Sequence, residues 1–153
     1  MLKLIKEFEL HADVTVDQFC GPFGTRILSK VTSGQFVGNR LKGDIVGASG
    51  DWALIGRDGF VRPDVRLTFR TVDAALIYVQ FFGVAKLTPT IRDILGLSAD
   101  TPTSLGAEFI FVHPRMETGD KRYSWVNRTM FIGEGRLLPG PRAEYQVYRV
   151  DQS

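Results

Sequence analysis

The sequence predicts an all-β fold, a closed antiparallel barrel of about eight or more strands carrying one short helix. Three observations predict it. Apolar and polar residues alternate with period two in one segment after another, clusters of Gly, Pro, Asn and Asp interrupt them at short spacing, and only one segment carries helix start and stop signals. A sandwich would show the same pattern, but closure leaves no exposed edge and gives a mouth that serves as a pocket.

Taken in order, Leu2, Leu4, Phe8 and Leu10 mark a half-buried first strand, and the glycines around Pro22 make residues 20–24 a loop. Residues 25–31 read as a short strand, 32–34 as a turn, and 35–46 as a long strand whose Gly38 and Gly43 suggest bulges or coiling. Residues 47–50 read as a second turn leading into a strand over 51–55. Asp58-Gly59 is a tight-hairpin signal. Residues 64–71 alternate again, with Val65, Leu67 and Phe69 on one face and Arg66, Thr68 and Arg70 on the other. Residues 74–82 are apolar on both faces, so one face meets the core and the other a helix, a subunit or a ligand. The helix begins with Thr88 as cap and Pro89 in the first position, carries Ile91, Ile94 and Leu95, and stops at Gly96 or within 98–102. Strands follow over 108–113, 123–133 and 143–150.

Length and composition fit one domain, residues 1–153, with no repeat, linker or low-complexity segment. Nineteen basic residues, thirteen of them Arg, against 17 acidic ones leave a net charge of +2. The arginines are dispersed, so no nucleic-acid footprint is expected. The start lacks a signal-peptide core and no stretch approaches a membrane span, so the expected location is the cytoplasm, with no membrane partner. Cys20 is the single cysteine, which fits a reducing compartment.

Period two on the strand predicted over 123–133 puts Tyr123, Trp125, Asn127, Thr129 and Phe131 on one face, an aromatic wall with an amide that suits a small-molecule pocket. The plainer alternative makes Trp125 and Phe131 core and gives Asn127 to a turn. Arg70 is a candidate for binding a carboxylate or steadying an enolate, or else it is merely solvated. Tyr78 is a candidate hydrogen-bond donor into the cavity. Asp51, beside the large apolar ring of Trp52, is a candidate general acid or base with a raised pKa, and Glu117 is a second carboxylate candidate. His11 and His113 lack the partners of a metal site, and neither a phosphate loop nor a nucleophile elbow is present. No metal and no cofactor is expected.

Five ordered segments resemble one family: 21–26 (GPFGTR), 34–43 (GQFVGNRLKG), 50–52 (GDW), 66–71 (RLTFRT) and 117–128 (ETGDKRYSWVNR). Together they are similar to domain-of-unknown-function family 3237, also called uncharacterised protein family 0311, over nearly the whole chain. The resemblance implies a small barrel like those of allene oxide cyclase and the dirigent proteins, which guide isomerisation or cyclisation without a redox cofactor or metal. The family motifs carry over at Arg26, Arg40, Asp51, Trp52, Arg70, Asp73, Tyr78, Glu117, Tyr123, Trp125 and Asn127. Two departures stand out. Ala74 occupies a position where many members have glycine, and Phe111 and His113 lie in a strand where an arginine is common, making the pocket less cationic.

The expectation is therefore a cofactor-independent isomerase, cyclase or lyase acting on a small oxygenated metabolite. Asp51, Glu117, Tyr78 and Tyr123 are its candidate catalytic residues; Arg26, Arg40, Trp52, Arg70, Trp125, Asn127 and Phe131 are its candidate substrate contacts. A non-catalytic binding barrel and a structural or assembly subunit are the alternatives, and a homo-oligomer is expected.

Overall fold

Long two-faced strands make up most of the computed structural model, which describes residues 1–97, 101 and 110–152. The elements are β1 (Leu2–Gly21), β2 (Gly24–Gly38), β3 (Lys42–Ile55), β4 (Phe60–Arg62), β5 (Asp64–Thr71), β6 (Leu76–Lys86), helix α1 (Pro89–Leu95), β7 (Ile110–Glu117), a 3-10 helix (Lys121–Arg128), β8 (Phe131–Leu138) and β9 (Arg142–Gln152). Eight strands close an antiparallel ring in the order β1-β2-β3-β5-β6-β7-β8-β9 and back to β1, while the short β4 bridges β3 and β6 at one rim. The barrel expected from alternation is the fold observed.

Five local expectations need correction. Residues 35–46 are not one strand: β2 ends at Gly38, the chain turns through 39–41 and β3 starts at Lys42, so Val37 pairs Lys42 across a hairpin. Residues 32–34 do not turn the chain: β2 runs through them with one extra residue, since Asp13 pairs Ser33 and Val14 pairs Val31. Gly34 is there for close packing, because a Cβ would lie 2.5 Å from Ile45 Cδ1 and 2.6 Å from the His11 carbonyl. Residues 47–50 are likewise a bulge inside β3, with Gly47 at φ +59°. Ser49 Oγ completes that bulge, accepting the Thr68 N–H at 3.0 Å and donating to the Val46 carbonyl at 3.0 Å. Two extra residues there keep Ile45 and Asp51 in the same inward phase. The strand over 108–113 does not end at Pro114; β7 continues through it to Glu117, and residues 108–109 lie outside the described residues. The strand expected over 123–133 is the largest miss. Residues 121–128 form a 3-10 helix instead, capped by Asp120, whose carboxylate accepts the Arg122 N–H at 2.9 Å. In a three-residue turn positions i and i+3 share a face, so Tyr123 and Val126 go inward together and the period-two grouping fails.

The helix is as expected. Thr88 Oγ1 accepts the Ile91 N–H at 3.2 Å, Pro89 opens the first turn, and Gly96 closes it in the left-handed region, its N–H reaching the Arg92 and Asp93 carbonyls. Its other proposed stop, within 98–102, lies almost wholly outside the described residues. No helix among the described residues is long and apolar enough to cross a membrane.

Inward side chains form two apolar clusters. The larger is built on Phe36 stacked on Phe69 with centroids 4.0 Å apart, with Phe8 edge-on to Phe69 and Phe131, and the 3-10 helix closes that end with Tyr123 and Val126. The smaller, around Ile27, Ile55, Leu87 and Ile91, closes the other end beneath α1. One carboxylate is drawn into the first cluster. A bulge between Lys6 and Phe8 buries Glu7, which accepts two hydrogen bonds from Arg40 and one from Arg149, each 2.8 Å. As expected, β6 is apolar outward too, with Tyr78, Phe82 and Val84 exposed.

Candidate functional site

Between the two clusters lies a partly open cavity of about 110 Å³. Its wall is aliphatic and aromatic: Leu10, Ala12, Val65, Leu67 and Phe81 from the strands, with Ile91 and Leu95 of α1 over one end. Only three side chains with hydrogen-bonding atoms line it among the described residues: Ser29, Asp51 and Tyr145.

Register places each of them. Asp51 on β3 is paired with Ser29 on β2 and Val65 on β5, and all three project inward. Tyr145 comes from β9, where Ala143 and Val147 share its inward phase. It lies against Gly135 of β8: a Cβ there would come within 2.5 Å of the Tyr145 ring. The absent side chain makes room for the ring, and Phe81 packs edge-on against it at 5.5 Å.

Asp51 Oδ1 accepts the Asp64 N–H at 2.9 Å, and its second oxygen has no hydrogen-bond partner among the described residues. Burial pushes its carboxyl up to about 6; the Asp64 N–H bond opposes that rise and the Asp64 charge adds to it. Burial pushes the Tyr145 hydroxyl well above the usual phenol range, and the Asp51 charge pushes it further, so Tyr145 remains a neutral donor. Neither Tyr145 Oη nor Ser29 Oγ has a protein partner among the described residues. Ser29, Asp51 and Tyr145 are each half-buried, so these polar atoms keep some access to water until a guest covers them. An ionisable acid, a phenol donor and a small hydroxyl therefore face one apolar space, a set suited to moving a proton on a bound organic molecule while holding its oxygen.

The sequence candidates separate into three places. Asp51 alone reaches the cavity. Trp52, its neighbour on a strand, points to the opposite face and is 45 % exposed, so burial rather than that ring raises the Asp51 pKa. Tyr123, Trp125, Phe131 and Arg40 build the closed end instead of a pocket wall. Tyr123 Oη donates to Asp73 Oδ1 at 2.6 Å, Phe131 is core, and Arg40, paired with Glu7, lies 3.9 Å over the Trp125 ring. The rest sit outside. Arg26 donates to the Trp52 carbonyl at 2.9 Å, and Arg70 is solvated, its neighbours Leu67 and Phe69 being the inward ones. Tyr78, Glu117 and Asn127 do meet, but in an open groove on the outer surface. There Asn127 accepts the Thr118 N–H at 2.8 Å and donates to the Thr118 carbonyl at 2.9 Å, pinning a turn.

Ser29 and Tyr145 were missed, although a signal for Tyr145 existed. An aromatic residue in the inward phase of the last strand, with a glycine opposite, is a ring filling space that the glycine vacates.

A family model described as a protein of unknown function (DUF3237) matches residues 2–150. An uncharacterised UPF0311 protein of Rhodopseudomonas palustris is 24% identical over 110 residues, covering 72% of this chain and 71% of that protein. The crystal structure of a beta-barrel like protein from Acinetobacter baumannii is similar with a TM-score of 0.79 and 26% identity, covering 99% of this chain and 97% of that one. At 18% identity, the crystal structure of an enzyme from Penicillium herquei shares the fold, with a TM-score of 0.64 over 99% of this chain and 94% of that one.

Proposed function

The chain belongs to the family of proteins of unknown function DUF3237, and from that premise we propose that it is an isomerase, cyclase or lyase that works by moving a proton on a small oxygenated molecule held in the barrel cavity. One observation carries the reading: Asp51 stands on an apolar cavity wall with a free oxygen and a carboxyl poised at about 6. That value lies near neutral pH, where an acid–base catalyst works best.

Tyr145 Oη–H donates to the substrate's carbonyl oxygen. The Asp51 carboxylate takes the proton from the adjacent carbon, and the electron pair of that C–H bond moves into a conjugated enolate whose oxygen Tyr145 steadies by its hydrogen bond. Asp51, now a neutral acid, returns the proton at another carbon of the conjugated system. Ser29, opposite Asp51, helps fix the oxygen's position. The Penicillium herquei neighbour is described as an enzyme, which agrees with catalysis in this fold.

The test is conversion of 3-cyclohexenone to 2-cyclohexenone, a one-proton relocation followed by ultraviolet absorbance. The protein should accelerate it, with a loss of about 10²–10⁴-fold in Asp51→Asn. Full activity in Asp51→Asn would end the catalytic reading. A carrier is the second reading, favoured by a wall that is apolar apart from three side chains; it predicts binding of the same ketone with no turnover.

A further inference from the structure

The chemistry of the wall narrows the ligand, granted that the cavity is the ligand site. Size comes first. A cavity of about 110 Å³ is somewhat smaller than an engineered cavity of ~150 Å³ that accepts benzene. One six-membered ring with no more than two small substituents fills it.

Charge comes second. Among the described residues no Lys, Arg or His lines the cavity. Two arginines on the paired strands face elsewhere: Arg66, next to Val65 on β5, leans over the outward Trp52 ring at 6.0 Å, and Arg26 of β2 is bonded to the Trp52 carbonyl. A carboxylate or phosphate here would sit beside Asp51 with no compensating cation, in a medium where like charges repel strongly.

Hydrogen-bonding complementarity comes third. The free Asp51 oxygen is an acceptor while ionised, and Tyr145 Oη is a donor. A carbonyl oxygen only accepts, which satisfies Tyr145 and leaves Asp51 unpartnered. A hydroxyl on an sp² carbon does both, accepting from Tyr145 and donating to Asp51.

We propose that the cavity selects an uncharged, single-ring ligand with one enolic or phenolic hydroxyl, and that its substrates are the cyclic ketones whose enols have this shape. The site then holds the enol more tightly than the ketone, the differential that speeds proton removal.

The experiment is titration of the full chain near neutral pH with four probes of matched outline: p-cresol, toluene, 4-methylcyclohexanone and p-toluate. Affinity is read by calorimetry, and location by the methyl NMR signals of Leu10 and Leu67. The expected result is p-cresol at least about tenfold tighter than toluene or the ketone, and p-toluate at least about 100-fold weaker than p-cresol. Tyr145→Phe and Asp51→Asn should each lower p-cresol affinity about tenfold and leave toluene binding intact, which shows that the variants keep the cavity. If p-toluate matches p-cresol, or p-cresol is no better than toluene, the ligand class is wrong while the cavity remains the site. If no probe shifts the Leu10 and Leu67 signals, the cavity reading falls and this inference with it. Tight p-cresol binding without 3-cyclohexenone turnover would leave the ligand class standing and remove only the catalysis.

Discussion

Replacing Asp51 with Asn keeps the size of the side chain and removes the one carboxylate on the described cavity wall, so it isolates what burial does to that group. In the unfolded chain the carboxyl titrates near its ordinary 3.8; in the folded barrel burial pushes it up to about 6. Between those values the folded state binds the proton that the unfolded state has released, so stability falls as pH rises and the loss is complete above about 6. The interval from 3.8 to about 6, at about 1.36 kcal/mol per pH unit, amounts to about 3 kcal/mol. The groups facing Asp51 are Ser29 from β2, Asp64 and Val65 from β5, and Tyr145 from β9. The Asp64 charge is part of what raises Asp51 and so belongs to the measured difference, and Tyr145 stays neutral across the range. Urea unfolding of wild type and Asp51→Asn, followed by tryptophan fluorescence, measures that difference directly. The variant should gain about 3 kcal/mol on the wild type between about pH 3 and about pH 7.5. At about 2–4 °C per kcal/mol, the same gain appears in melting temperature. A difference that does not change with pH would refute the argument, because Asp51 would then be hydrated like a surface carboxylate.

Three further outcomes test other parts of the structure. Gly135→Ala places a methyl group 2.5 Å from the Tyr145 ring and drives the ring into the cavity; it should cost about 1–3 kcal/mol by urea unfolding and abolish p-cresol binding by calorimetry, and retained binding would contradict the packing described. Ala74 sits at φ +72°, a left-handed conformation that glycine adopts without strain, so Ala74→Gly should stabilise the barrel by about 0.5–1 kcal/mol, read as a higher melting temperature; a lower one would contradict it. Burial raises the Glu7 carboxyl, but hydrogen bonds from Arg40 and Arg149 outweigh it and hold the pKa below the ordinary carboxylate value. Glu7 therefore stabilises the fold at neutral pH and loses that effect as acid protonates it. Glu7→Gln should cost about 3 kcal/mol near neutrality, with the gap to wild type closing in acid urea titrations, and a gap that persists would contradict the assignment.

The barrel was legible in the sequence because period two is a local signal, repeated from β1 to β9. The helix was legible from Thr88, Pro89 and Gly96 for the same reason. Bulges were not: Gly34 and the segment from Gly47 to Gly50 look like turns by composition, and only the partner strand shows that β2 and β3 continue through them. The sharpest failure concerns Tyr123, Trp125 and Asn127. Their spacing suits a strand as well as a 3-10 turn, and what decides for the turn is Asp120 capping the first amides while Tyr123 and Val126 close the barrel end. The reason the sequence offers for a raised Asp51 fails, since Trp52 points away and burial raises it instead. Ser29 and Tyr145 escaped because their importance depends on cross-strand register, which pairs Ser29 with Asp51 and sets Tyr145 beside Gly135.

The acid Asp51 and the phenol Tyr145 face one apolar cavity, where they are proposed to share one guest oxygen. A crystal structure of the protein grown with p-cresol tests it most directly. The ring should lie among Leu67, Phe81 and Ile91, with its hydroxyl within hydrogen-bonding distance of both the Asp51 carboxylate and Tyr145 Oη. A ring bound instead in the outer groove beside Tyr78 and Glu117, or an oxygen turned away from Asp51, would contradict it.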